Sequence, residues 1–404
     1  MGQSQNFNPH QGVPLPGVPR PGAGQRTGPG RVAASAPASH NARMHASDPP
    51  PLAATPARPW SRLAAGLPPA SFGIVMATGI VSIAMQQLGL PALARALLAL
   101  NAMLYAGLWV LTMLRLLRHT ARFVADLRHH ARSPGFFTTV AASGVLGSQC
   151  LLIGGPRAAA TLLWWVTAGL WLVLTYGIFA TLTTIATKPR LDRGIGGAWL
   201  LAVVATQSVV VLGVLLAPGL GEGPRLAMHF LALALWLWGV MLYIWIMTLI
   251  FYRYTFFTLA AKDLTPSYWI NMGAMAISTL AGALLVQAAP QAPFLQSMHP
   301  FIEGFTLFCW ASGTWWIPLL IVLEVWRYAI RHVPLRYDPM YWGVVFPLGM
   351  YAVGTRELTR VLELNVIDAL PPLFGLAALL AWVLACADSL LRAWQWGVRQ
   401  RARH

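Results

Sequence analysis

Charged side chains are scarce in this chain: of 404 residues only 10% are Asp, Glu, Lys or Arg, against about 25% in an ordinary soluble domain. Carboxylates are scarcer still, 12 against 28 basic residues. A proton relay of acidic and His groups through a membrane core finds few parts here. There is no GxxxxGK[ST] phosphate loop, no HExxH and no DxxxD pattern, so phosphate-driven transport and metal-assisted hydrolysis lack their usual residues. Cysteine is nearly absent: Cys150, Cys309 and Cys386 each fall in an apolar run without CxxC spacing. They read as small core hydrophobes, with no disulfide and no metal site implied. No cofactor is expected, and an integral membrane enzyme acting on lipids would need an acidic or His cluster that is missing. The residues to about Pro59 have almost no large apolar side chains. They are rich in Pro, Gly, Ala and Arg, contain no apolar core of signal-peptide length, and read as a disordered cytoplasmic tail over 1–59.

What the chain has in quantity is apolar length. Hydrophobic residues make up 57% of it, arranged in runs long enough for the ~20 helical residues that cross a bilayer. Length and breakers together predict ten helices, near 70–89, 93–117, 136–155, 158–187, 194–217, 226–251, 267–289, 300–330, 339–360 and 370–396. The fold class expected is therefore an all-α polytopic membrane protein, with a transport domain over 60–398 and a basic C-terminus at 399–404. The fourth and eighth runs exceed the needed length, so tilt or projection is expected there.

The net charge of +16 reads as a topology signal, and no nucleic-acid partner is expected. With the N-terminus inside, 23 of the 28 basic residues fall on the cytoplasmic side, leaving Arg95, Arg157, Arg225, Arg356 and Arg360 outside. That is a strong positive-inside asymmetry, placing both termini in the cytoplasm of a cell whose inner membrane holds the protein.

The ten runs alternate in character. Odd runs carry small and polar residues, as in "FFTTVAASGVLGSQ" and "INMGAMAISTLAG"; even runs are heavy, as in "LLWWVTAGLWLVLTYGIF". Small residues let helix backbones approach closely, and lipid-facing helices have no such need. Five hairpins follow, each giving one helix to an inner ring and one to an outer ring. The inner ring offers Phe72, Gly79, Ser82, Thr139, Gly144, Ser148, Thr206, Asn271, Ser278, Gly343 and Gly349 as candidate lining of a passage. Charges at the span ends (Glu324 with Arg327, Asp388 with Arg392, and Arg356, Glu357, Arg360 and Glu363 at the far end of the ninth run) read as structural pairs. An uncharged inner ring suits passage of a small polar solute; a membrane scaffold would leave the alternation unexplained.

Two stretches carry a resemblance. "FGIVMATGIVSIA" (Phe72–Ala84) resembles the first span of the tellurite-resistance/dicarboxylate transporter family, which includes the slow-type anion channels. "YWGVVFPLG" (Tyr341–Gly349) resembles its ninth span, and the likeness extends over roughly residues 65–396. The resemblance implies a homotrimer with one pore per protomer, lined by the five odd helices. It also implies a ninth-span phenylalanine that occludes the pore, which here is Phe346 beside Pro347. Physics agrees with such a gate: Pro removes a helical donor and bends the helix, and a ring at a pore-lining bend makes a constriction that closes by dewetting. "GTWWIPLLIVLEVWRY" (Gly313–Tyr328) looks closer to the malate-type branch. The expected substrate is a small inorganic anion or a C4-dicarboxylate such as malate. A sulfite or proton-coupled dicarboxylate exporter with an alternating cycle is the alternative.

Overall fold

The computed structural model describes residues 59–334 and 341–401. Among them every regular element is helical. Ten long helices dominate: α1 (Gly73–Gln87), α2 (Pro91–Arg118), α3 (Phe137–Ile153), α4 (Arg157–Thr184), α5 (Leu201–Leu216), α6 (Glu222–Phe256), α7 (Ile270–Gln287), α8 (His299–Val325), α9 (Trp342–Leu362) and α10 (Leu370–Arg401). They follow the runs expected from the sequence. Nine, counted with their leading turns, are long and apolar enough to cross a membrane; α9 has the length, 21 residues, but is less apolar. Three charged residues, Arg356, Glu357 and Arg360, sit in its last two turns. The fourth and eighth helices exceed the ~20 residues a span needs, α4 at 28 and α8 at 27, but the greatest excess falls elsewhere. α6 is the longest helix at 35 residues, about 52 Å at 1.5 Å per residue, so it must tilt or project beyond a ~30 Å hydrocarbon core. The expected tail lies outside the described residues except for Pro59, and the basic C-terminus is described only as far as Arg401, as the end of α10.

The alternation in composition is an alternation in burial. Between 67 and 94% of the apolar windows at α1, α3, α5 and α7 is buried, against 11 to 56% at the even helices. α9 belongs with the first group: its run Met350–Thr355 is wholly buried. The odd helices pack in a closed ring, α1 on α3, α3 on α5, α5 on α7, α7 on α9 and α9 back on α1. Every even helix packs on the odd helix before it and on the one after it. The small residues explain how closely the ring closes. A Cβ on Gly144 would lie 2.8 Å from the Cβ of Ser208 on α5, and one on Gly354 would lie 2.7 Å from the carbonyl oxygen of Ala276 on α7.

Two repeated devices run round the ring. Each of the first four odd helices is entered through a 3-10 turn, Pro69–Phe72, Ser133–Phe136, Gly197–Leu200 and Pro266–Trp269, and successive turns touch one another. The second device is polar. Every even helix sends at least one aromatic side chain to hydrogen-bond the next odd helix. Tyr105 and Ser143 share a bond of 2.7 Å, Trp171 Nε1 donates to Thr206 Oγ1 (2.9 Å), and Trp236 Nε1 to the Ser278 carbonyl (2.8 Å). Trp310 Nε1 donates to Thr355 Oγ1 (3.0 Å), and Trp382 Nε1 to Thr78 Oγ1 (2.9 Å). In an apolar surround an indole or phenol seeks a partner; here the partner is always the ring.

Candidate functional site

The odd helices enclose two cavities along the ring axis. The larger, about 270 Å³, takes lining from all five: Ile80 and Gln86 of α1, Gly144 and Ser148 of α3, Ser208 of α5, Ile277 of α7 and Met350 of α9 are among its walls. The lining runs from the middle of each helix toward its end. The smaller, about 20 Å³, is lined by Gly73, Met76, Thr138, Leu201, Ile270, Trp342, Gly343 and Phe346, residues at the starts of the same helices and the turns before them. Phe346 bounds the smaller cavity on the side of the larger one, whose wall begins again on α9 one turn later at Met350. Its ring is 2% exposed. α9 runs through Pro347 as one helix. Pro347 has no N–H to offer the carbonyl four residues earlier, which belongs to Gly343 on the smaller cavity. Pro347 also packs where α7 leaves room, since a Cβ on Gly273 would meet its Cγ at 2.7 Å.

The two ends of the axis differ. Where the odd helices start, a wider hollow of about 570 Å³ adjoins the smaller cavity and shares Ala70 with it; Arg115, Arg122, Asp126 and Arg132 are on its walls. Asp126 is buried and pairs with both Arg115 and Arg132, the latter at 3.0 Å. Three guanidinium groups face one carboxylate, so this basic end favours anions. At the far end the larger cavity is rimmed by Gln87, Gln287, Glu357 and Arg360. Glu357 accepts hydrogen bonds from Gln87 Nε2 (2.8 Å), Gln287 Nε2 (3.0 Å) and Arg360 Nη1 (2.7 Å).

Of the lining positions expected from sequence, Gly144 and Ser148 are on the larger cavity, and Gly343 and Phe346 on the smaller. The others look elsewhere. Phe72 packs edge-on against Tyr105 and Trp109 of α2, and Ser82 donates to the Ala94 carbonyl of the same helix at 2.7 Å. Gly79 makes room for Val145, Asn101 and Gln149, and Gly349 for Ile80 and Ala378. Thr139 donates back to Phe136, Thr206 receives Trp171, Asn271 donates to Tyr254 and Ser278 receives Trp236 through its carbonyl. Sequence reasoning missed Ser208 and the glutamine rim. A signal for the rim was present: Gln87 and Gln287 are each the last residue of an inner helix. Glu324 and Arg327 pair loosely at 3.9 Å, and Asp388 with Arg392 at 3.1 Å, as expected.

The sequence pattern of the voltage-dependent anion channel family matches residues 66–390, the whole ring and nearly all of its outer helices. The chain belongs to that family. The resemblance read from Phe72–Ala84 and Tyr341–Gly349 is thereby borne out, and a small anion crossing a membrane is the family's business. An uncharacterized membrane protein of Mycobacterium tuberculosis is 38% identical over 143 residues, 35% of this chain and 72% of that one. An uncharacterized transporter of Methanocaldococcus jannaschii is 27% identical over 322 residues, 77% of this chain and 88% of its own length. A sulfite efflux pump of Arthroderma otae is 24% identical over 352 residues, covering 80% and 90% of the two chains.

Proposed function

We propose that this member of the voltage-dependent anion channel family passes small anions along the axis of the inner ring, and that Phe346 closes the passage. The observation that supports the reading is the pair of cavities inside one ring, with the buried Phe346 lining the smaller one a turn before the wall of the larger one resumes on α9 at Met350. A phenyl ring has neither charge nor hydrogen-bond capacity to replace an anion's hydration shell, so a path filled by one is dry and shut. The basic hollow gathers anions at one end. Gly144, Ser148 and Ser208 give the wider cavity a mildly polar wall that holds an ion without trapping it. The basic end is assigned to the cytoplasm by the excess of Lys and Arg there. Each passage is lined by one chain, so a homotrimer would carry three independent paths.

Anion flux into proteoliposomes under a set voltage tests this, with wild type beside Phe346→Ala and malate, chloride, nitrate and sulfite in parallel. Voltage-driven flux that rises on removing the ring is the expected result. Unchanged flux in folded protein removes Phe346 as the gate. A second reading, export of sulfite by a saturable cycle, is favoured by the fungal relatives that bear that name and match 90% of their length. Slow, saturable sulfite uptake insensitive to voltage is the outcome that selects it over a channel.

A further inference from the structure

The far rim of the larger cavity holds a feature at odds with passage of anions: a carboxylate. Glu357 stands on the wall through which an anion would have to leave or arrive, and its side chain is only 11% exposed. A fixed negative charge in a poorly hydrated mouth repels the ion being carried. Its surroundings give it a second meaning. The carboxylate is held by two primary amides and a guanidinium drawn from three adjacent helices of the ring, Gln87 of α1, Gln287 of α7 and Arg360 of α9. All three bonds are 3.0 Å or shorter, as charge-assisted bonds are. Gln87 and Arg360 share one oxygen and Gln287 takes the other. With the Glu357 side chain set aside, what remains is a set of converging N–H donors with one positive charge, spaced about a planar oxyanion. Arg360 is half-exposed at 53%, so the set is reachable from the open end.

We propose that Gln87, Gln287 and Arg360 form an anion-binding site at the far mouth, that Glu357 fills it as an internal counter-anion, and that a transported oxyanion loads by taking these donors from Glu357. The inference rests on the anion-transport reading above and adds to it a site, a latch and a ligand class: small planar oxyanions and carboxylates ahead of halides. It also makes the mouth self-neutral when empty. Arg360 does not hold an ion so firmly as to stop flux, because Glu357 competes for it at every turnover. That is the balance a conducting site needs between admitting an ion and letting it go.

The test is half-saturation of flux by formate and by chloride, applied to the far end of protein oriented in liposomes. Glu357→Gln removes the competing charge and keeps the side chain's size; the half-saturating formate concentration is expected to fall about tenfold, the effect of one competing interaction lost. The value measured from the basic end is expected to stay put, and chloride to gain less than formate. Arg360→Gln, on a half-exposed side chain, is expected to raise the formate value by a similar factor. Should Glu357→Gln fail to fold, Glu357→Asp withdraws the carboxylate by one methylene and is expected to shift the value the same way, by about threefold. A far-end value unchanged or raised in Glu357→Gln or Glu357→Asp, or unchanged in Arg360→Gln, with wild-type melting and elution, overturns the proposal. If neither wild type nor Phe346→Ala carries any anion, the transport reading fails on its own. Calorimetric binding of formate to detergent-solubilised Glu357→Gln, abolished by adding Arg360→Gln, would then still establish the site, and no binding would dismiss it.

Discussion

The inner and outer helices use the same amino acids to opposite ends, and glycine shows this most clearly. On α3 and α9, Gly144 and Gly354 lie against neighbouring backbone, so an added Cβ would come within 3.0 Å of a carbonyl oxygen; on α4, an added Cβ at Gly169 or Gly177 would meet nothing within 4 Å. Tryptophan divides similarly. Trp165 is 66% exposed toward the bilayer side, while Trp171, two turns along the same helix, reaches Thr206 of the ring. A residue type thus reports little by itself in this fold. Its place in a hairpin decides whether it closes the ring, fills it or meets lipid.

The sharpest way to break that contrast is to add one methyl group on each side of it. Gly354→Ala drives a Cβ against the Ala276 carbonyl oxygen at 2.7 Å. Helix backbone cannot swing aside as a side chain does, so α7 and α9 must separate, at a cost of about 1–3 kcal/mol. Gly169→Ala should cost nothing and gain up to about 1 kcal/mol from helix propensity. Thermal unfolding in matched detergent checks the pair; equal shifts for the two variants would mean the ring is looser than its contacts.

A second comparison sets a ring aromatic against a lipid-side one. Phe346→Ala should raise anion flux about tenfold, equivalent to lowering a barrier by roughly 1.4 kcal/mol, with Phe346→Leu between it and wild type. Trp165→Ala, which removes a larger side chain from the exposed face, should leave flux unchanged. A rise in both would point to general loosening of the bundle rather than to a gate.

The ring itself was legible in the sequence because a helix buried on all sides and one buried on a single side differ in composition over their whole length. The lining of the cavities was far less so. Ser82, Thr206, Asn271 and Ser278 are polar residues in inner helices, as a wet wall would demand, yet their partners are on the outer helices. A serine or threonine can satisfy itself on the carbonyl one turn back, as Thr206 does on Ala202 and Ser278 on Ala274. It can therefore face any direction, and which face of a ring helix meets the axis is set by neighbours the local sequence does not name. Phe346 stands out as a candidate only because its stretch resembles a family pattern; by composition it is one more aromatic beside a proline. The Glu357 rim was visible as a cluster of charges but not as a site, since its amide donors lie 270 and 70 residues away.

The smallest expected effect tests whether the aromatic hydrogen bonds hold the ring or merely decorate it. Trp171→Phe keeps the ring's bulk and deletes the N–H given to Thr206 (2.9 Å). Thr206 Oγ1 keeps its own bond to the Ala202 carbonyl, so no buried donor is orphaned and the loss is limited to one interhelical bond, about 0.6–1.5 kcal/mol. Trp382→Phe, which does the same to Thr78 on α1, should cost a like amount, since each bond ties an outer helix to the ring helix that follows it. If the five bonds act independently, the double variant should cost the sum. A double cost well above the sum would show that the bonds share the work of closing a single ring, and that its fivefold repetition is a mechanical device as well as an outcome of hairpin packing.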